Sequence, residues 1–154
     1  MATKRGLAAT LLAALVGGCA IATPFRSTAG GGDGGAPAVV ALTEATLGPD
    51  SAARSAFWEG VWAVERTLKD QPGLIGYSVR RELLGNRTWT MTMWETEADL
   101  DRFVLSPAHR AAMASGRAAL TGTRFARLER RRGDGPPSWA EALDVLGRTR
   151  EGYR

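Results

Sequence analysis

The sequence has a single cysteine, Cys19, and a single histidine, His109. One cysteine excludes an intrachain disulfide and a cysteine metal cluster. One histidine excludes a histidine-rich metal site within one chain. No nucleophile elbow, metal-ligand spacing or carboxylate pair at a suggestive separation is present, and no internal repeat of solenoid length is visible. The apolar run from Gly6 to Val16 is too short for the ~20 residues that a membrane-spanning helix needs. Net charge is small as well. The net charge is +4, and two of those charges, Lys4 and Arg5, stand in a segment expected to be removed. The remainder is too small to argue for nucleic acid. With 154 residues, 44% hydrophobic and 23% charged, the chain suits one globular domain.

Lys4 and Arg5, followed by that apolar run, have the layout of a signal peptide. Val16-Gly17-Gly18-Cys19 resembles a bacterial lipobox, in which the cysteine is lipidated and becomes the new N-terminus. On this reading residues 1–18 are the leader, Cys19 is the lipidation site, and the protein is anchored by lipid in the cell envelope, outside the cytoplasm. Ala20-Ile21-Ala22 offers a second reading, an Ala-x-Ala cleavage site that releases a soluble secreted form. Residues 19–37, with "STAGGGDGGAP", read as a flexible Gly-rich tether. The glycines neither follow a strand nor open a helix, so they make no phosphate loop.

Residues 38–132 carry the folded domain. "AVVALTEATL" (Ala38 to Leu47) is β-rich and predicts a strand. A helix follows, capped by Asp50 or Ser51, with Phe57, Val61, Val64 and Leu68 on one stripe beside Trp58 and Trp62. "LIGYSVRRELL" and "RTWTMTMWE" alternate and flank Gly85-Asn86, which predicts a hairpin. On its second strand Trp89, Met91 and Met93 face one way, and Thr88, Thr90, Thr92 and Trp94 the other. Both faces carry bulk, so both need cover, one from helices and the other from a partner subunit or a ligand. Thr96 to Asp99 has the form of a capping box, and Ser106-Pro107 that of a cap with proline at the first helical position. "TGTRFARLERR" is the last strand. Residues 133–154 form an extension with an appended helix over Ser138 to Gly147. The order strand, helix, strand, strand, helix, strand predicts an α+β ferredoxin-like βαββαβ sandwich.

The residues from Val39 to Arg130 resemble the antibiotic biosynthesis monooxygenase superfamily, the dimeric α+β barrel proteins. The resemblance rests on "PGLIGYSV", on the strand ending in Trp94-Glu95, and on the pattern formed by Phe103, Ser106, Ala108 and His109. It implies a homodimer whose two sheets pair face to face. It also implies an oxygenase acting on a flat aromatic or other hydrophobic small molecule, in some members without a cofactor and in others with haem. Where haem-degrading members place a tryptophan and a haem-ligating histidine, this chain has Phe103 and Met113. That departure argues against haem degradation and leaves haem binding open.

His109 is the candidate base, because its unperturbed pKa lies near neutrality; the alternative is a histidine packed at a helix start. Tyr77, Trp89, Trp94, Arg81, Phe103 and Met113 are candidates to line a substrate pocket. For Trp89 and Trp94 the alternative is core filling, and for Arg80 and Arg81 a solvated pair. Arg130, Arg131 and Arg132 touch anionic headgroups or form a solvated strand end. Three functions stay open: a monooxygenase, a module that binds a hydrophobic ligand or haem without turnover, and a structural envelope lipoprotein.

Overall fold

The computed structural model describes residues 19–28 and 33–150. The leader expected over residues 1–18 lies outside the described residues. Six strands and four α-helices follow in the order β1 (Ala20–Ala22), β2 (Arg26–Ser27), β3 (Pro37–Leu47), α1 (Ser51–Leu68), β4 (Leu74–Glu82), β5 (Arg87–Trp94), α2 (Glu97–Val104), α3 (Pro107–Gly116), β6 (Leu120–Arg131) and α4 (Trp139–Arg148). All the strands belong to one antiparallel sheet with the order β1-β4-β5-β3-β6, and β2 also pairs with β4. β3 to β6 with α1 and the α2–α3 pair make the ferredoxin-like sandwich that the sequence predicts.

Local chemistry sets the helix starts. Asp50 Oδ1 accepts the Ala53 N–H at 2.7 Å, Thr96 Oγ1 that of Asp99 at 3.1 Å, Ser106 Oγ that of His109 at 3.3 Å, and Ser138 Oγ that of Glu141 at 3.2 Å. Each satisfies an N–H that has no partner within its helix. Gly73 turns the chain from α1 into β4 at φ 76°, and a Cβ there would lie 2.3 Å from the Asp99 carboxyl carbon. The turn and the α2 start therefore interlock, and only glycine fits.

α1, α2 and α3 cover one face of the sheet. There Val39, Leu74, Tyr77 and Trp94 of the sheet pack with Leu68, Leu100 and Phe103 of the helices. The opposite face carries Ala38, Val40, Leu42, Trp89, Met91 and Met93, as the alternation of β3 and β5 requires. The sequence leaves the cover of this face to a partner or a ligand. Within the chain, α4 supplies it: Ala142 and Leu146 are buried against these strands, with Trp139, Leu143 and Val145 around them. α4 is amphipathic, and the sheet is the apolar surface within its reach.

A second difference concerns residues 19–37, which the sequence reads as a tether. Ala20–Ala22 and Arg26–Ser27 are paired with β4 instead. The outer edge of β4 offers unpaired backbone groups, and pairing removes that liability. Phe25 lies over Gly76, where a Cβ would come within 2.4 Å of its ring. Asp33 to Ala36 run beside the end of β6, with Gly133 N–H donating to Gly34 O at 2.8 Å. No described helix is long and apolar enough to cross a membrane.

Candidate active site

A cavity of ≈ 480 Å³ lies between the helices and the sheet. Phe57, Val61, Val64 and Leu68 of α1, Leu100, Phe103 and Val104 of α2, and Ala112 and Met113 of α3 form its walls, with Leu120 and Phe125 of β6. Its floor is a row of threonines: Thr43 of β3, Thr88, Thr90 and Thr92 of β5, and Thr123 of β6. Strand alternation turns them all to the helix side. Thr88 donates to Arg80 O at 2.9 Å, and Thr92 accepts from Trp94 Nε1 at 2.8 Å. Thr43 and Thr90 are direct cross-strand partners, and their hydroxyls have no hydrogen-bond partner among the described residues. Two free hydroxyls side by side in an apolar cavity are a polar anchor for a ligand. The alternation of β5 reveals Thr90. Thr43 escapes the sequence reading, because its position opposite Thr90 depends on the register between β3 and β5.

His109 lines this cavity, half-buried, in the first turn of α3. Its Nδ1 lies 3.0 Å from the Val104 carbonyl at the end of α2. That oxygen can only accept, so Nδ1 carries the proton and Nε2 keeps its lone pair. Nε2 has no hydrogen-bond partner among the described residues. Burial pushes the imidazole below its ordinary pKa, and the bond to Val104 opposes this only in part. The Phe103 ring also packs against the imidazole, 4.9 Å away between centroids. His109 is thus a neutral, oriented imidazole with a free basic nitrogen.

The structure brings His109, Phe103 and Met113 together at the cavity, with Met113 half exposed at its rim. The other predicted lining residues lie elsewhere. Trp94 is fully buried behind Phe103, ring centroids 5.0 Å apart, and serves as core. Tyr77 packs beside it and donates its hydroxyl to Glu65 at 3.3 Å. Arg81 lies on the helix side at the far end of β4, outside the cavity lining, its guanidinium 5.9 Å from the Trp58 ring centroid. Trp89 points to the opposite sheet face, where Nε1 donates to Glu44 at 2.7 Å and the Arg80 and Arg87 guanidiniums cover its ring. Strand parity puts it there, out of reach of a ligand on the threonine floor. Arg130 and Arg132 pair with Glu141 at 2.6 Å and Glu95 at 3.0 Å.

No group of three or more metal-binding side chains exists among the described residues. Haem, which the resemblance raises, finds protein donors for one axial position only. His109 and Met113 are one turn apart on the same helix face and approach a ligand from the same side. They cannot bind opposite faces of one porphyrin iron.

Comparison with known proteins agrees with this architecture. Rv0793 from Mycobacterium tuberculosis is 20% identical, with a TM-score of 0.53 over 59% of this chain and 92% of that one. A conserved protein from Methanosarcina mazei Go1 is 17% identical, with a TM-score of 0.51 over 61% and 91%. A protein of unknown function from Jannaschia sp. CCS1, described as a dimeric ferredoxin-like protein, is 15% identical, with a TM-score of 0.53 over 59% and 97%. At these identities the likeness establishes the fold alone. No curated protein sequence matches the chain. The family model for antibiotic biosynthesis monooxygenase matches residues 42–115, from the first core strand through α3, and so takes in most of the cavity wall and His109. Residues 42–115 therefore form a domain of the antibiotic biosynthesis monooxygenase family.

Proposed function

We propose that this domain oxygenates a flat aromatic or other hydrophobic small molecule in the cavity above the threonine floor, without a cofactor. The observation that carries the reading is a neutral His109, with Nε2 free, at the wall of a largely apolar cavity whose other polar lining is the threonine floor, Glu65 and Arg127. A phenolic substrate loses its O–H proton to Nε2 while its oxygen rests on Thr43 and Thr90. The electron-rich anion reduces dioxygen and takes it up at a ring carbon as a peroxide. Loss of water from that adduct leaves a quinone. The balance is phenol plus O₂ to quinone plus H₂O, so no external reductant is required. His109 returns its proton to the departing oxygen, and the apolar walls keep bulk water from the peroxide.

The test is oxygen uptake by the purified chain with a panel of naphthols and anthrones. Quinone formation equal to oxygen consumed is the expected result; no uptake with any member of the panel would leave the cavity as a binding site without turnover. Thr90→Val keeps the shape and removes one anchor. It is expected to raise KM about five-fold, the worth of one ordinary hydrogen bond, with a smaller change in kcat.

The proposed assembly is a homodimer. Since α4 already lies on the second sheet face, the partner meets the outer side of α4 and the arginine-covered end of that face. Light scattering on the full chain is expected to give twice the chain mass, and a monomer at micromolar concentration would sink the proposal.

A further inference from the structure

The most exposed large apolar side chain among the described residues lies outside the cavity lining. The β4–β5 hairpin turns through Leu83-Leu84-Gly85-Asn86, with Leu84 94% and Leu83 49% exposed. This loop is firmly held. The Glu82 carboxylate accepts from the Asn86 and Arg87 N–H groups at 3.2 Å each, and from Arg87 Nε and Nη2 at 2.9 and 2.6 Å. It fills the space that a Cβ at Gly85 would need. Asn86 also exchanges hydrogen bonds with the Leu47 backbone, at 2.8 and 3.2 Å. So much ordering of a turn that gives two leucines to water contributes nothing to the core, and exposed apolar surface of this kind marks an interaction site.

Cys19 adjoins the same turn, since its carbonyl accepts the Leu83 N–H at 2.8 Å. Ile21, 47% exposed, follows on β1 opposite Arg81. Arg81 in turn lies against Trp58, on which Trp62 stacks at 5.5 Å. Aliphatic tips, amphipathic tryptophans and arginines are the side chains that settle at a membrane–water interface. Cys19 is also the residue whose sequence context resembles a lipidation site, and a lipid on it would hold this end of the molecule against a bilayer.

We propose that the Leu83–Leu84 turn, with Ile21, is a membrane-docking surface that sinks into the interfacial layer of a lipid bilayer beside Cys19. It fixes which end of the domain faces the membrane, and it does not depend on the reaction in the cavity. The test uses the full chain with Cys19→Ser, so that one introduced cysteine takes an environment-sensitive dye. Leu84→Cys places the dye on the turn. Ala140→Cys places it on exposed α4, at the other end of the sheet. On vesicles of phosphatidylethanolamine and phosphatidylglycerol, the dye at position 84 is expected to emit several-fold brighter and to the blue, with quenching by spin-labelled lipid, while the dye at 140 stays water-like. Water-like emission from both positions on vesicles would overturn the proposal. A shift at 84 that needs no lipid and grows with protein concentration would assign the turn to a second copy of the chain and overturn it equally.

Discussion

His109→Ala is expected to lower kcat/KM by about 10²–10⁴-fold, the usual contribution of a positioned general base. The expectation rests on the ring being held by two neighbours, Val104 O at Nδ1 and Phe103 at 4.9 Å, with Nε2 left as the free basic atom. The pH profile gives a second, independent reading. Burial depresses the His109 pKa, so its neutral form persists to lower pH than that of a free imidazole. Activity is therefore expected to be flat at neutral pH and to fall only as pH drops through a value below the ordinary ~6.5. In His109→Ala that limb should vanish along with most of the rate. Binding of a flat ligand, measured by quenching of protein fluorescence, should survive the same substitution, because the walls and the threonine floor are untouched. If kcat/KM is unchanged by His109→Ala, the imidazole has no part in the chemistry. If no turnover exists in either protein while binding is equal, the domain is a ligand carrier.

The strands and caps of this fold are written locally, which is why they can be read from sequence. Period-two alternation puts Thr88, Thr90 and Thr92 on one face of β5 and Met91 and Met93 on the other, and Thr96, Ser106 and Ser138 mark helix starts by their own side-chain chemistry. What the sequence hides is long-range. An amphipathic helix declares an apolar stripe but not its target, so α4 reads as an appendage although it covers Val40 and Met93. The strap of β1 and β2 is invisible for a related reason: its attachment is backbone pairing to the β4 edge, which leaves almost no side-chain signature in strands of three and two residues. Two aromatic candidates stay out of the cavity for different reasons, Trp94 by depth and Trp89 by direction. Trp94 does face the helix side, but Phe103 stands between it and the cavity. Trp89 faces the other way, and only the pairing of β5 with β3 places it against a buried acid.

That acid carries the second large effect. Glu44→Ala is expected to destabilise the protein by about 3 kcal/mol, near the lower end of what breaking a buried ion pair costs. The Glu44 side chain is 8% exposed and binds two donors at once, Trp89 Nε1 at 2.7 Å and Arg124 Nη1 at 2.6 Å. Its removal strands an indole N–H in the core and takes the carboxylate from a guanidinium that is itself only 30% exposed. Access of water to Arg124 keeps the cost from the upper end of the range. The measurement is urea denaturation followed by tryptophan fluorescence, with an unchanged slope and a lower midpoint. A double-mutant cycle separates the pair from the rest: Glu44→Ala with Arg124→Ala should cost less than the two single changes added together, by more than about 1 kcal/mol. Strict additivity would mean that the ion pair is carried by its surroundings and that the loss in Glu44→Ala comes from Trp89 alone. In that case Trp89→Phe, which removes the N–H and keeps the ring, should recover much of the stability lost in Glu44→Ala. Activity per folded molecule should stay constant through the whole series, because Glu44 and the cavity lie on opposite faces of the sheet. A fall in kcat at full folding would instead show that the two faces are mechanically coupled through β3 and β5.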